Sequence, residues 1–230
     1  MKIQNEPDCL EQMIQEHMKQ EHMTKARNFD ILNKAAKKGQ ILFTGSSLME
    51  QFPVVEMTMD MGLDYLVYNR GIGGTTTDDF LERIHTVCLD LEPSRLFINI
   101  GTNDIHDRYP EGENFQSHIL RNYGKIMDMI AEKLPETEVY VMAFYPANLH
   151  MPNANPMTTA AYAARTRKNL DMINEAVREL ALSHGFHFIN VNEGLTDEKG
   201  ELREELTIEG VHMYASGYEI VLRNLEKYLK

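Results

Sequence analysis

Short apolar runs rich in β-branched and aromatic residues alternate with longer segments of helical period along this chain of 230 residues. Consecutive parallel strands need a crossover connection, which is usually a helix that lies on one face of the sheet. The alternation therefore predicts an α/β fold with a mostly parallel, five-stranded sheet covered on both faces. The five predicted strands are Ile41–Thr44, Tyr65–Asn69, Leu96–Ile100, Val139–Phe144 and Phe186–Val191.

Helical segments are predicted where apolar residues recur in steps of three and four. The clearest runs from about Phe115 to Leu134, and a second carries Leu170 to Leu180 and stops near Gly185. A third covers Tyr218 to Leu229 at the end of the chain. A further helix is expected from about Cys9 to Lys38, with Gly39 as its stop signal.

Composition narrows the class of protein. There is no repeat or linker, so residues 1–230 are interpreted as a single domain, with a helical extension over 1–40 and a catalytic core over 41–230. A net charge of −12 argues against a nucleic acid or an anionic membrane as partner. Two distant cysteines and the lack of a signal sequence or membrane-spanning run predict a cytoplasmic protein.

Polar and glycine-rich signatures follow the first three predicted strands, and a fourth precedes the last helix. Ligands of such sheets bind beyond the carboxyl ends of the strands, so we expect the four to meet at one edge. They are Gly45-Ser46-Ser47, Asn69-Arg70-Gly71-Ile72-Gly73-Gly74, Gly101-Thr102-Asn103-Asp104 and Glu209-Gly210-Val211-His212.

Ser47 has two interpretations. After a strand and a glycine, a serine can expose its hydroxyl at the start of a helix and act as a nucleophile. Alternatively, Ser46 or Ser47 caps that helix, and one serine can cap while the other reacts. The Gly-x-Ser-x-Gly elbow of α/β-hydrolases is absent, because Met49 occupies the second glycine position.

The glycine-rich segment also leaves alternatives open. Its spacing fits neither a dinucleotide-binding nor a phosphate-binding loop. A simple turn, with Thr75 or Thr77 capping the next helix, would explain the threonines. The glycines permit close backbone approach, so the N–H of Gly74 could face a carbonyl oxygen of a substrate.

Asn103, Glu209 and His212 complete a set of groups suited to acyl transfer. A side-chain amide at a strand end can donate to an oxyanion, although a lone asparagine there is more often part of an Asx-turn. Glu209 and His212 are three positions apart, so one helical turn would place both side chains on the same side. The pair could orient the imidazole as a base, or it could be a surface ion pair.

Five other histidines show no metal-ligand spacing, and no metal site is assigned. They are interpreted as structural or surface residues: His17, His22, His106, His184 and His187.

Taken together, the four signatures resemble those of the SGNH hydrolases, also called GDSL-type esterases or lipases, and most closely the branch similar to platelet-activating-factor acetylhydrolase. The resemblance extends from about Ile41 to the C-terminus. It implies a flavodoxin-like three-layer α/β/α sandwich with five parallel strands. It also implies a hydrolase that needs no cofactor and acts on a small-molecule ester.

The resemblance assigns roles to residues of this chain. Ser47 would be the nucleophile, His212 the base and Glu209 the acid. The Ser47 N–H, the Gly74 N–H and the Asn103 amide would form the oxyanion hole. Two positions depart from the family pattern: Ser46 stands in place of Asp in the first block, and Glu209 replaces the usual Asp three residues before the histidine.

We therefore expect a serine ester hydrolase with a preference for short acyl groups. Rival hypotheses are an acyltransferase using the same residues, an inactive descendant that binds an ester, and a nucleotide-binding module of flavodoxin-like shape. A homodimer is an option that the extension leaves open. The loops 144–159 and 192–207 are expected to wall the pocket, where Tyr145, Asn148, His150 and Met151 could touch substrate.

Overall fold

Five parallel strands form one sheet in the order β2-β1-β3-β4-β5. The computed structural model describes residues 6–151 and 156–230, with side-chain surroundings for 12–151 and 159–230. All four pairings between neighbouring strands are parallel, which confirms the predicted five-stranded α/β architecture. The strands are β1 (Ile41–Gly45), β2 (Val67–Asn69), β3 (Arg95–Asn99), β4 (Glu138–Met142) and β5 (His187–Ile189).

Helices lie between the strands and at both ends of the described chain. Those predicted at the two termini and in the crossovers are confirmed, with shifts of a few residues at their ends. The helices are α1 (Glu6–Asn33), α2 (Ser47–Glu50), α3 (Val54–Met57), α4 (Thr77–Glu82), α5 (Ile84–Val87), α6 (Phe115–Lys133), α7 (Pro156–Tyr162), α8 (Arg167–Ser183) and α9 (Ala215–Leu229).

Alternation along the strands divides the core into two layers. Leu42 and Leu96 pack into one hydrophobic cluster with residues of α4, α5, α6 and α8. Ile41 and Phe97, on the opposite face, pack into a second cluster with residues of α2, α3 and α9. Successive side chains of a strand point to opposite faces, so one short sequence supplies both cores. The result is the predicted three-layer α/β/α sandwich.

Aromatic rings stack across the sheet in the second cluster. Phe43, Phe97 and Tyr140 are partners in the register of β1, β3 and β4. Their ring centroids lie 4.6 and 4.8 Å apart in stacked geometry. Cross-strand aromatic pairs of this kind add to burial and help to hold the register.

The cap of α4 differs from the prediction. Thr76, rather than Thr75 or Thr77, is the N-cap, and it forms a capping box with Asp79. Thr76 has the extended backbone that an N-cap needs. The hydroxyl of Thr77 instead donates to Asp104, and that of Thr75 donates to the Ile72 carbonyl.

The strand order reverses between β1 and β3. In doubly wound sheets a crevice forms at this switch point, beyond the carboxyl ends of the two strands. Ser47 follows β1 and Asn103 follows β3, so both border the crevice. Among the described residues, no helix combines the length and apolar composition needed to cross a membrane.

Candidate active site

A tight turn carries the chain from β1 into α2 and presents Ser47 at the first position of that helix. Glycine is required at position 45 of this turn, because a Cβ there would lie 1.9 Å from the carbonyl oxygen of Asn99. Ser46 occupies the N-cap position, but its hydroxyl is buried and forms no hydrogen bond with the described residues. Neither serine hydroxyl therefore caps α2, and the Ser47 hydroxyl can form other hydrogen bonds.

Contacts from both sides hold α2 in place. The Asn69 side chain donates to the carbonyl of Met49 at 2.6 Å. From α9, the buried Tyr218 hydroxyl donates to the carbonyl of Leu48 at 2.8 Å. The backbone that bears Ser47 is thus tied to β2 on one side and to the C-terminal helix on the other.

Ser47, His212 and Glu209 form one continuous hydrogen-bonded chain. Ser47 Oγ lies 2.8 Å from His212 Nε2, although 165 residues separate the two in sequence. On the other side of the ring, His212 Nδ1 lies 2.5 Å from Glu209 Oε1. The predicted convergence of these three side chains is thus present in the structure.

The Glu209–His212 pair is held by a loop, which differs from the expected helical turn. Thr207 and Met213 form an antiparallel bridge, and residues 209–212 lie in the bend between them. The backbone N–H of His212 also donates to Glu209 Oε1, at 3.0 Å. The longer side chain of a glutamate therefore folds back across the bend and reaches the imidazole.

Two effects act on the Glu209 carboxyl. Burial alone would raise its pKa, but bonds from the His212 side chain and backbone and the charge of Arg165 bring the net pKa below the usual glutamate value. Glu209 is therefore a carboxylate near neutral pH and can only accept hydrogen bonds. His212 Nδ1 must then carry the ring hydrogen, which leaves Nε2 free to accept the Ser47 proton.

Three donors are predicted to form an oxyanion hole beside Ser47. Within the described parts of the chain, the N–H groups of Ser47 and Gly74 have no acceptor. Asn103 Nδ2 donates one hydrogen to the Thr75 carbonyl at 2.8 Å, and its second hydrogen remains. Each of the three groups predicted to form an oxyanion hole thus has an N–H hydrogen that no described residue accepts.

Arg165 is a residue of this site that sequence reasoning missed. Its Nη2 donates to Asn103 Oδ1 at 2.7 Å, its guanidinium stacks 4.2 Å from the ring centroid of Tyr162, and the side chain is buried. Burial lowers its pKa to about 10, so it remains a cation. A single arginine in a loop has no spacing signal that would mark it.

The four predicted pocket residues are placed differently from one another. Tyr145 is buried in the second core cluster. Asn148 bonds through its backbone N–H to the Gly210 carbonyl at 2.7 Å and so supports the Glu209–His212 bend. His150 is exposed and pairs with Glu201, and Met151 lies near Gly210. Their contact with substrate stays a prediction.

One group of potential metal ligands occurs among the described residues: Asp78, Asp104 and His118. Asp104 accepts hydrogen bonds from the backbone N–H and hydroxyl of Thr77. His118 Nε2 lies 2.7 Å from Asp78. These contacts tie the Asn103 loop to α4 and α6.

Burial raises the pKa of Asp104 from 3.8 to about 6. Its protonated form is favoured by folding, so this contribution to stability is complete below pH 3.8 and is lost as pH rises through about 6. Relative to Asp104→Asn, the wild type should lose about 2 kcal/mol of unfolding free energy between pH 4 and pH 7. Urea unfolding of both proteins across this range measures it, and a constant difference would contradict it.

Comparison with known proteins identifies the family of the chain. Residues 54–220 match the model of the GDSL-like lipase/acylhydrolase family. The chain belongs to this family. The matched residues include Gly74, Asn103, Glu209 and His212, whereas Ser47 and all of α1 lie upstream of them. Membership supports ester hydrolysis as the general activity, and the predicted family is confirmed.

Individual relatives are distant in sequence. The chain is 24% identical over 195 residues to platelet-activating factor acetylhydrolase IB subunit alpha1 of Homo sapiens, covering 84% of this chain and 76% of that protein. A Streptococcus pneumoniae structure described as a platelet activating factor is 27% identical, with a TM-score of 0.84 over 97% of this chain and 99% of that one.

A more distant structure shares the fold. A mutant of an acetylxylan esterase from Geobacillus stearothermophilus is 19% identical, with a TM-score of 0.60 over 84% of this chain and 95% of that one. At this identity the likeness concerns the backbone arrangement. The two proteins therefore share the arrangement of the sheet and its crossovers.

Proposed function

We propose that the protein hydrolyses a short-acyl carboxylic ester through Ser47, His212 and Glu209. The observation that carries the proposal is the continuous hydrogen-bonded chain from Ser47 Oγ to Glu209 Oε1, with distances of 2.8 and 2.5 Å. A serine, a histidine and a carboxylate in this order make a nucleophile, a base and a group that orients the base.

In the first half-reaction, Ser47 Oγ attacks the acyl carbon while His212 Nε2 takes the hydroxyl proton. The carbonyl oxygen becomes an oxyanion that accepts bonds from the N–H groups of Ser47 and Gly74 and from Asn103 Nδ2. His212 then protonates the departing alkoxide as the bond between the acyl carbon and the leaving oxygen breaks. An alcohol leaves, and the acyl group stays on Ser47.

Water completes the cycle. His212 removes a proton from a water molecule, whose oxygen attacks the acyl carbon of the Ser47 ester. The second tetrahedral intermediate collapses, Ser47 Oγ takes the proton back from His212, and the carboxylic acid is released. Glu209 stabilises the imidazolium during both half-reactions, and its lowered pKa keeps it charged for this purpose.

The preference for a short acyl group is supported by the curated relatives. They carry the name acetylhydrolase, and 84% of this chain aligns with them. An acetyl group is small, so the acyl side of the crevice needs little depth. The alcohol part of the substrate is left open by this argument.

Hydrolysis of p-nitrophenyl acetate, butyrate and octanoate by the wild type tests the proposal. We expect kcat/KM to be highest for acetate, and a fluorophosphonate probe to label Ser47, as located by peptide mass spectrometry. Preference for octanoate would contradict the short-acyl assignment. Absence of both turnover and labelling would favour an inactive ester-binding protein. Product analysis with added alcohols would detect acyl transfer in place of hydrolysis.

Arg165 provides a prediction about the oxyanion hole. Replacing it with glutamine removes the cation that holds Asn103 Oδ1, so the amide can rotate and present its oxygen to the substrate. We expect Arg165→Gln to lower kcat about tenfold. Arg167→Gln, an exposed arginine two residues away, is the matched control. Equal rates for Arg165→Gln and wild type would show that Asn103 is oriented without it.

A further inference from the structure

We propose that α1, which lies outside the residues matched by the family model, orients the Gly74 oxyanion donor through His22. The inference rests on the proposed ester hydrolysis, in which Gly74 N–H receives the oxyanion. His22 is a positioning residue in this role and touches no reacting atom. Sequence reasoning interpreted it as a structural or surface histidine.

His22 is buried and reaches the loop that carries the donor. Its Nε2 lies 2.8 Å from the carbonyl oxygen of Gly73, across 51 residues of sequence. A carbonyl oxygen can only accept, so Nε2 carries the hydrogen and donates it. Gly73 C=O and Gly74 N–H belong to the same peptide group.

The geometry of that peptide transmits the constraint. None of the described peptide bonds is cis, so Gly73 C=O and Gly74 N–H point in opposite directions. Fixing the oxygen against α1 therefore directs the N–H away from α1, toward the crevice. An accepted hydrogen bond also polarises the peptide, which strengthens the N–H as a donor.

An anchor is needed here because glycine permits other orientations. Gly74 has φ +79°, and Gly73 precedes it, so the peptide between them can rotate with little steric resistance. A Cβ at Gly74 would lie 2.8 Å from Met18 Cε and 3.2 Å from His22 Nε2. The positive φ therefore disfavours a side chain at Gly74, and the hydrogen bond from His22 limits rotation of the peptide.

A second contact from α1 fixes the preceding peptide. Glu50 Oε2 accepts the N–H of Gly73 at 2.8 Å, and Glu50 Oε1 pairs with Lys25 Nζ at 2.8 Å. Lys25 lies one helical turn beyond His22, so both residues act from the same helix. The peptide groups on both sides of Gly73 are thus held by α1. His22 holds the one that follows Gly73 directly, and Lys25 holds the one that precedes it through Glu50.

The C-terminal part of α1 is anchored independently. Asn33 Nδ2 donates to the Thr86 carbonyl at 2.8 Å, and Asn33 Oδ1 accepts from the buried Arg70 at 2.9 Å. Because these bonds do not involve His22, replacing His22 should leave the helix docked. A change in kcat of a His22 variant then results from the loop that carries Gly74, and not from undocking of α1.

Three variants test the inference, with kcat and KM measured on p-nitrophenyl acetate. His22→Phe keeps a ring but removes the donor, and should lower kcat about 10- to 100-fold with KM changed by less than about twofold. His22→Gln places an amide nitrogen near the position of Nε2 and should recover most of that loss. His17→Phe, at an exposed position of the same helix, is the control and should match the wild type.

Equal kcat for His22→Phe and wild type would overturn the inference, as would His22→Gln being as impaired as His22→Phe. The Gly74 amide resonance in a glycine-¹⁵N-labelled protein gives a readout that needs no turnover. It should shift in His22→Phe and return toward the wild-type position in His22→Gln. If the wild type hydrolyses no ester, the proposed function fails, and an unmoved Gly74 resonance would separately overturn the role of His22.

Discussion

Ser47→Ala is expected to lower kcat for p-nitrophenyl acetate by about 10⁴-fold or more, because it removes the atom that forms the acyl-enzyme. The imidazole and the three oxyanion donors would remain, so a small residual rate by direct attack of water is expected. Turnover and fluorophosphonate labelling should fall together. The measurement is steady-state hydrolysis normalised to protein concentration, with circular dichroism to show that the variant is folded, so that the lost rate is separated from lost protein.

The neighbouring Ser46 offers a matched control for this variant. Its hydroxyl is buried and makes no hydrogen bond within the described structure, although Ser46 directly precedes Ser47, the proposed nucleophile. Ser46→Ala should therefore retain kcat within about threefold of the wild type, since no hydrogen bond is lost. If Ser46→Ala lost activity and Ser47→Ala kept it, the nucleophile would have been assigned to the wrong serine.

Glu209→Gln is expected to lower kcat by about 10²- to 10⁴-fold with little change in fold. The glutamine amide has nearly the size of the carboxylate, but it can present an N–H to His212 Nδ1. That contact favours the ring tautomer with its hydrogen on Nε2, which cannot accept the Ser47 proton. The lost negative charge also leaves the imidazolium without its partner. Steady-state kinetics on p-nitrophenyl acetate measure the loss.

The pH dependence of the same pair has a defined sign. Because the pKa of Glu209 is lowered by folding, its stabilising effect is present above the usual glutamate pKa. That stabilisation is lost as pH falls through the lowered pKa of Glu209 in the folded protein.

Glu205→Gln is the control for the loss of charge in Glu209→Gln. Glu205 is exposed and pairs with Arg203. Similar rates for both glutamine variants would remove the orienting role from Glu209.

Local features of the sequence were enough to predict the fold and the main site residues. Strand side chains must alternate between two buried faces, so apolar runs such as Ile41–Thr44 were recognisable without any tertiary information. Polar residues directly after such runs, including Ser47 and Asn103, lie at the carboxyl edge in any parallel sheet. The convergence of the first three signatures therefore follows from strand direction, whereas the fourth reaches the same edge through the loop before α9.

Competition between neighbouring groups limited the local predictions. Three adjacent threonines could each cap α4, and the choice of Thr76 depended on Asp104 engaging Thr77 from another loop. Similarly, a spacing of three residues suggested a helical turn for Glu209 and His212, whereas the bridge between Thr207 and Met213 produces a bend. The first outcome was decided by Asp104, 27 positions from Thr77, and the second by a pairing between two residues that flank the bend.

The amino-acid sequence by itself determined the parallel sheet, its helical layers and the residues at its carboxyl edge, because periodicity and glycine-bearing turns are properties of neighbouring residues. The tertiary structure decided how those residues are oriented. His22 from α1 and Arg165 from the loop before α8 reach Gly73 and Asn103 across 51 and 62 residues. Such hydrogen bonds depend on the three-dimensional approach of separate elements, which spacing along the chain does not encode.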